Sequence, residues 1–219
     1  MSSKDRILTR LRKVAVQDRE YQGPLIRDKS IFSDYQTNPD SLSGQFMARL
    51  KSLYAECYIM QTMDQLAENL AGLLKNFEPR RCVTHSFSYI NHIKNNFPVL
   101  IPYLNEIDYL NILSPDFADY EVGITCADVL IARTGSILLS SSSAGGRRLS
   151  VLPPVHIVIA SSDQLVPSLD EALDKLSQIK QEWSYATFIT GPSRTSDIEK
   201  QLVLGAHGPK RLIMLLLQV

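Results

Sequence analysis

The sequence has little that would mark a membrane-spanning, secreted or nucleic-acid-binding protein. Its apolar run at 212–217 is far shorter than the ~20 residues that a membrane-spanning helix needs. The first residues, MSSKDRILTRLRK, place charges where a secretory signal peptide requires an apolar segment. Lys plus Arg and Asp plus Glu both number 23, so no net charge attracts nucleic acid or an anionic membrane. These features predict a cytoplasmic protein with no transmembrane segment and no nucleic-acid partner.

Cysteine is also scarce. The three cysteines, Cys57, Cys82 and Cys126, are odd in number and far apart, which favours reduced thiols over a disulfide framework or a metal site. An iron–sulfur cluster usually takes four thiolates, so none is expected within this chain. The sequence lacks the H-x-x-x-H, G-x-S-x-G and G-x-G-x-x-G patterns of metal, hydrolase and dinucleotide sites. We therefore expect no bound metal and no intrinsic cofactor.

Apolar strand patterns alternate with amphipathic helix patterns, which predicts an α/β fold with a mainly parallel sheet flanked by helices. The predicted strands are 81–84, 99–101, 129–133, 137–141, 155–160, 185–190 and 212–217, and the predicted helices are 42–55, 63–76, 168–181 and 196–204. Thr134 and Gly135 join two of the strand patterns without a helix, so a hairpin there makes the sheet mixed.

The N-terminal part has a different composition. Residues 3–16 have apolar positions at helical spacing, and residues 18–41 contain Gly-Pro, Asn-Pro and several Asp and Ser residues typical of an exposed arm. We divide the chain into a helix and irregular arm over 1–60 and an α/β domain over 61–219, which together form one continuous domain.

The segment TGPSRTSDIE at 190–199 is a candidate anion site. Gly191 and Pro192 predict a turn after a strand, and Ser196 and Glu199 have the spacing of a capping box at the start of a helix. An anion can then bind at one point, surrounded by the first-turn N–H groups, the hydroxyls of Ser193 and Thr195, and Arg194. A capped helix start with a solvated arginine is the alternative.

The stretch SSSSAGGRR at 140–148 is a second candidate. Glycines permit close approach of the backbone to a ligand, and arginines bind carboxylate or phosphate with two hydrogen bonds. It is not a P-loop, because it lacks the Gly-Lys-Ser/Thr ending and is expected to follow a hairpin strand rather than open a helix. A surface loop with a structural arginine pair is the alternative, and Thr134-Gly135 likewise either presents N–H groups or is only a turn.

Two of the histidines are candidate acids or bases. His207 lies between glycines after the last predicted helix, and His85 follows a predicted strand, where open α/β sheets bind ligands. The alternative for both is a histidine hydrogen-bonded within a loop. His92, on a polar helix, and His156, inside an apolar strand, are interpreted as structural.

Together these residues resemble the LUD-domain family, and within it the LutC-type lactate-utilisation proteins. The matching stretches are VGIT (122–125), TGSILLSS (134–141), GRRLSVLPPVHIVIA (146–160) and TGPSRTSDIEKQLVLGAHGPKRL (190–212). The resemblance implies a NagB/RpiA/CoA-transferase-like fold and a cluster-free subunit that acts beside iron–sulfur partner subunits in the oxidation of L-lactate to pyruvate. Arg133 stands where many relatives have an acidic residue before Thr-Gly, which argues against covalent CoA-transferase chemistry.

The resemblance implies ligand-binding roles for Thr134, Gly135, Gly146, Arg147, Arg148, Gly191, Ser193, Arg194, Thr195, Asp197, Glu199, His207 and Gly208. We expect a pocket for a small carboxylate or phosphorylated ligand between the GRR loop and the TGPSRT segment, with His207 as the best candidate for proton transfer. A homo-oligomer is possible. The alternatives are a non-catalytic assembly subunit, or a ligase or transferase acting on a nucleotide or folate-like ligand.

Overall fold

A computed structural model describes residues 39–107, 119–141, 147–179, 184–195, 203–204 and 208–219, together with Lys4, Arg6 and Thr9. The chain divides into two units, Met1–Gln36 and Thr37–Val219. In the first unit Lys4, Arg6 and Thr9 are helical, within the predicted helix over 3–16. The rest of that helix and nearly all of the predicted arm lie outside the described residues.

Twelve strands and five α-helices are described in the second unit. The strands are β1 Glu56–Met60, β2 Cys82–Thr84, β3 Asn105–Glu106, β4 Val122–Cys126, β5 Val129–Ile131, β6 Ser136–Ser140, β7 Val155–Ser161, β8 Leu165–Val166, β9 Ala186–Ile189, β10 Arg194–Thr195, β11 Val203–Leu204 and β12 Arg211–Leu217. The helices are α1 Pro39–Ser52, α2 Met63–Leu74, α3 Ser88–Asn96, α4 Arg147–Val151 and α5 Leu169–Ser177.

The main sheet has six strands in the order β1-β12-β7-β4-β2-β3, and all of its pairs are parallel. Its central strands are buried on both faces, which explains why β7 and β12 are continuous apolar runs. Successive residues alternate between two cores: Ile213 and Leu215 pack on one face, and Met214 and Leu216 pack on the other. The predicted α/β class with a mainly parallel sheet is confirmed.

A second sheet of four strands, in the order β8-β5-β6-β9, contains the antiparallel pairs β5–β6 and β6–β9 and the parallel pair β5–β8. Its β5–β6 hairpin turns at Thr134 and Gly135, as predicted, and Gly135 has the positive φ (65°) that glycine tolerates. The predicted hairpin therefore makes this second sheet mixed, whereas every pair of the six-stranded sheet is parallel. Helix α5 covers this sheet with Ala172 and Leu176, and its first turn is capped by the Ser168 hydroxyl.

Helix α2 shows why its residues are helical. Thr62 caps its start by accepting from the Gln65 N–H, and Leu66, Leu70 and Leu74 repeat at the helical period and are buried. The strand predicted at 99–101 is wrong, because these residues belong to a 3-10 segment, Pro98–Tyr103, whose two prolines cannot donate to a ladder.

The sheet also includes chain from the predicted arm. Residues 56–60 form β1, which pairs with β12. Helix α1 packs Phe46 and Leu50 into the core cluster that contains Met214 and Leu216 of β12. The segment just before residue 61 thus contributes a strand and a helix to the α/β unit.

Candidate functional site

The TGPSRT segment follows β9 and lies where α1 ends. Gly191 adopts φ 94°, and a Cβ on it would lie 3.0 Å from the Leu53 carbonyl oxygen, so only glycine fits this approach. The predicted turn is therefore present. The Thr190 and Ser136 hydroxyl oxygens are 2.7 Å apart, which links the segment to the β5–β6 hairpin.

The chain after this turn differs from the prediction. Arg194 and Thr195 form β10, and they pair antiparallel with Leu204 and Val203 of β11. The predicted helix over 196–204 is therefore wrong at Val203 and Leu204, because β-branched Thr195 and Val203 favour extended pairing. Ser196, Asp197 and Glu199, including the capping box, lie outside the described residues, as does the Thr195 side chain.

Arg194 is half-buried, and its guanidinium carbon lies 5.2 Å from the centre of the Tyr54 ring. This is a cation–π contact, which holds the guanidinium plane without neutralising its charge. Tyr54 is itself 70% exposed and has a positive φ of 69°, which a bulky residue rarely adopts. No ion pair of Arg194 with a carboxylate occurs within the described ranges.

Two other residues predicted to bind a ligand, Ser193 and Gly208, lie in contact beside this turn. The Ser193 N–H donates to the Pro209 carbonyl (2.9 Å), and a Cβ on Gly208 would lie 3.2 Å from the Ser193 Cβ. Gly208 precedes β12 and Tyr54 precedes β1, so the segment lies where these parallel strands begin, which we call the amino edge of the six-stranded sheet. His207 lies outside the described residues.

The hairpin turn approaches the same end of α1. A Cβ on Gly135 would lie 2.8 Å from the Leu50 nitrogen, while Thr134 is exposed. The structure thus gathers Thr134 and Gly135 with Gly191 around the last turn of one helix. We call the set of Tyr54, Thr134, Gly135, Gly191, Ser193, Arg194 and Gly208 the amino-edge cluster.

The GRR stretch is supported by a different strand. Contrary to the prediction, Arg147 and Arg148 open a helix, α4, because the following residues pack on β4. A Cβ on Gly123 would lie 2.1 Å from the Leu149 carbonyl oxygen, so glycine permits this contact. Arg148 is exposed; Gly146 and the Arg147 side chain lie outside the described residues.

The described histidines near the sheet differ in role. His156, interpreted as structural, is fully buried in β7, its Nε2 lies 2.8 Å from the Thr125 hydroxyl, and burial lowers its pKa to about 3. His85 follows β2, as predicted, and is 8% exposed. Burial lowers its pKa to about 4, and a hydrogen bond with the Ser86 backbone opposes this effect. Both imidazoles are therefore neutral at pH 7.

Sequence reasoning missed Tyr54. An aromatic residue after a helix carries no local signal of function, and its partner Arg194 is distant along the chain. Within the described ranges, no helix is long and apolar enough to span a membrane. In the same part of the chain, no group of three or more His, Cys, Asp or Glu side chains is placed to hold a metal ion.

Comparison with known proteins decides the family. Residues 44–217 match the sequence model of the LUD domain. The chain belongs to the LUD domain family. This match includes β1 to β12 and most of α1, so the LUD domain contains the amino-edge cluster and His85 alike.

Several similar proteins are called lactate utilization protein C. The one from Bacillus pumilus is 38% identical over 111 residues, which cover 49% of this chain and 45% of that protein. The one from Bacillus subtilis is 37% identical over 99 residues, covering 43% and 41%. The matched stretches thus span less than half the length of these relatives. The predicted resemblance to LutC-type members is confirmed.

A solved structure is similar in fold. The crystal structure of a DUF162 family protein from Deinococcus radiodurans matches with a TM-score of 0.58 and 20% identity, covering 83% of this chain and 99% of that chain. At this identity the similarity concerns the arrangement of the LUD domain's strands and helices.

Proposed function

We propose that this LUD domain protein is a cluster-free subunit of a lactate-utilisation system and that it binds a small carboxylate at the amino-edge cluster. The observation that carries the proposal is Arg194, a half-buried cation held against the Tyr54 ring with no carboxylate ion pair within the described ranges. A guanidinium presents donors that match the two oxygens of a carboxylate.

The surroundings of Arg194 support a small ligand. The backbone at Gly191 and Gly208 lies in close contact with Leu53 and Ser193, so the segment is held by packing as well as by hydrogen bonds. The hydroxyls of Ser193 and Thr134 are the nearby uncharged donors that the resemblance assigns to binding. L-Lactate and pyruvate, which share a carboxylate, are the ligands that the names of the relatives suggest.

In this proposal the chain binds and orients the carboxylate. Oxidation of L-lactate to pyruvate releases electrons, which iron–sulfur partner subunits would accept. His207, among the residues assigned to binding by resemblance, is the candidate to exchange a proton with the ligand.

The test is isothermal titration calorimetry of the full chain with L-lactate and with pyruvate. We expect both to bind, and Arg194→Gln to weaken both by about 10- to 100-fold, the effect of one charged hydrogen-bonding group. The matched control is Arg80→Gln, which changes an exposed arginine of the 3-10 segment Pro79–Arg81. Absence of binding to the parent, or equal binding by Arg194→Gln, would overturn the proposal.

A further inference from the structure

The order of strands places a topological switch point, where open α/β sheets form a crevice, at the opposite edge of the six-stranded sheet. Strands β2 and β4 are parallel neighbours, but the chain leaves β2 for β3 on one side and leaves β4 for β7 on the other. In open α/β sheets, ligands bind beyond the carboxyl ends of two such strands, where their connections diverge. The topology therefore directs attention to the residues that follow Thr84 and Cys126.

His85 is the first residue beyond β2. Its side chain is more than nine-tenths buried, and its Nε2 atom has no hydrogen-bond partner within the described ranges. Buried polar atoms are nearly always paired, so this lone pair is a position where a donor is expected. The imidazole is neutral at pH 7, and in the tautomer that carries the proton on Nδ1 the Nε2 lone pair accepts a hydrogen bond.

Two carboxylates, Asp128 and Glu106, raise the pKa of His85 against the effect of burial, and Glu106 is paired with Lys94 (2.7 Å). Burial raises the pKa of the Cys126 thiol to about 12, and burial also raises the pKa of Tyr89. The carboxylates of Asp128 and Asp163 also raise the pKa of Cys126. An anionic ligand would meet these carboxylates, so the surroundings favour an uncharged ligand that donates hydrogen bonds.

Aromatic rings line the same chain segment. The His85 and Phe87 rings are 4.9 Å apart between centroids, and the Phe87 and Tyr89 rings are 6.4 Å apart and edge-on. Phe87 and Tyr89 are half-buried and also pack against the core. Such a row of rings presents an apolar wall beside the Nε2 acceptor, which suits a planar ligand.

We propose that the crevice between the carboxyl ends of β2 and β4 is a binding site for an uncharged planar ligand whose N–H group donates a hydrogen bond to His85 Nε2. This site is separate from the amino-edge cluster. Tyr54 leads into β1, and β1 is four strand positions from β2, roughly 19 Å at about 4.8 Å per strand. One small carboxylate cannot bridge the two places.

The test uses two probes that share a ring, nicotinamide and nicotinate. The first has an uncharged carboxamide with N–H donors, and the second has a carboxylate. The full chain is labelled with ¹⁵N in its four histidines, and the imidazole resonances are followed during titration. We expect nicotinamide to shift the His85 Nε2 resonance saturably and nicotinate to leave it in place.

Variants identify the acceptor. His85→Phe keeps a ring but removes Nε2, and it should weaken nicotinamide binding by about tenfold, the effect of one buried hydrogen bond. His85→Gln keeps an acceptor oxygen and should bind better than His85→Phe. His92→Phe, which changes an exposed histidine of α3, is the matched control and should bind as the parent does.

The proposal is overturned if the His85 resonance does not move, if both probes shift it equally, or if His85→Phe binds nicotinamide as the parent does. The titration of the parent needs no variant, so poor folding of His85→Phe leaves the result intact. Since lactate and pyruvate are absent from this experiment, its failure would not affect the carboxylate site at Arg194, and failure there would not affect His85.

Discussion

The backbone of Tyr54 offers a sharp test of the amino-edge cluster. A left-handed conformation costs an L-residue about 1–2 kcal/mol, and stacking of the exposed Tyr54 ring on a cation returns about 0.5–1 kcal/mol. Tyr54→Ala removes the ring but keeps the strain, whereas Tyr54→Gly removes both. Glycine usually destabilises a helix or strand by about 0.5–1 kcal/mol relative to alanine. Subtracting this cost of glycine from the relieved backbone strain, we expect Tyr54→Gly to be more stable than Tyr54→Ala by about 1 kcal/mol.

Urea unfolding followed by circular dichroism measures this difference, with equal m-values required for the comparison. A double-mutant cycle of Tyr54→Ala with Arg194→Gln isolates the stacking, which should couple the two positions by about 0.5–1 kcal/mol. Tyr54→Phe keeps the ring and serves as the control. A glycine variant less stable than the alanine variant would refute the strain, and a coupling near zero would refute the stacking.

Two further predictions concern the sheet. Gly123→Ala should destabilise the protein by about 3 kcal/mol or more in urea unfolding, because its Cβ would lie 2.1 Å from the Leu149 oxygen. The control Gly72→Ala, which has open space in α2, should be neutral or stabilising. A tolerated Gly123→Ala would contradict the packing. The pKa of His156 is about 3 in the folded state, below the ordinary 6.5, so between these values the unfolded chain binds a proton that the folded chain does not bind. The free energy of unfolding should therefore fall from pH 6.5 toward pH 3 by up to about 1.4 kcal/mol per pH unit. Urea midpoints at pH 7, 6, 5 and 4 should show a shallower loss in His156→Gln than in the exposed control His92→Gln, and identical slopes would contradict the burial.

Strands with continuous burial were the elements that sequence predicted best. β7 and β12 are covered on both faces, so their apolar runs are visible without knowledge of the fold. β1 was not predicted, because Tyr58 and Ile59 on this edge strand are partly exposed and Glu56 begins it. Its place in the sheet depends on pairing with β12, which no local pattern encodes.

The candidate site was predictable in part for the same reason. The turn at Gly191 and the hairpin at Gly135 follow from local backbone chemistry, and both were found from sequence. The pairing of Arg194 with Leu204 and its stacking on Tyr54 are contacts between distant residues. The unpaired Nε2 of His85 is likewise a property of the folded environment, although its position after β2 was a usable signal.

The pairing of β1 with β12 also sets the order in which the chain can fold during synthesis. Glu56 cannot pair with Ile213 until Ile213 has been synthesised, which takes roughly 10 to 30 s more at 5–20 residues per second. Until then β7 lacks its neighbour as well, since β12 lies between β1 and β7. A nascent chain therefore exposes two unpaired parallel edges at once, and slow assembly through such distant contacts prolongs this exposure.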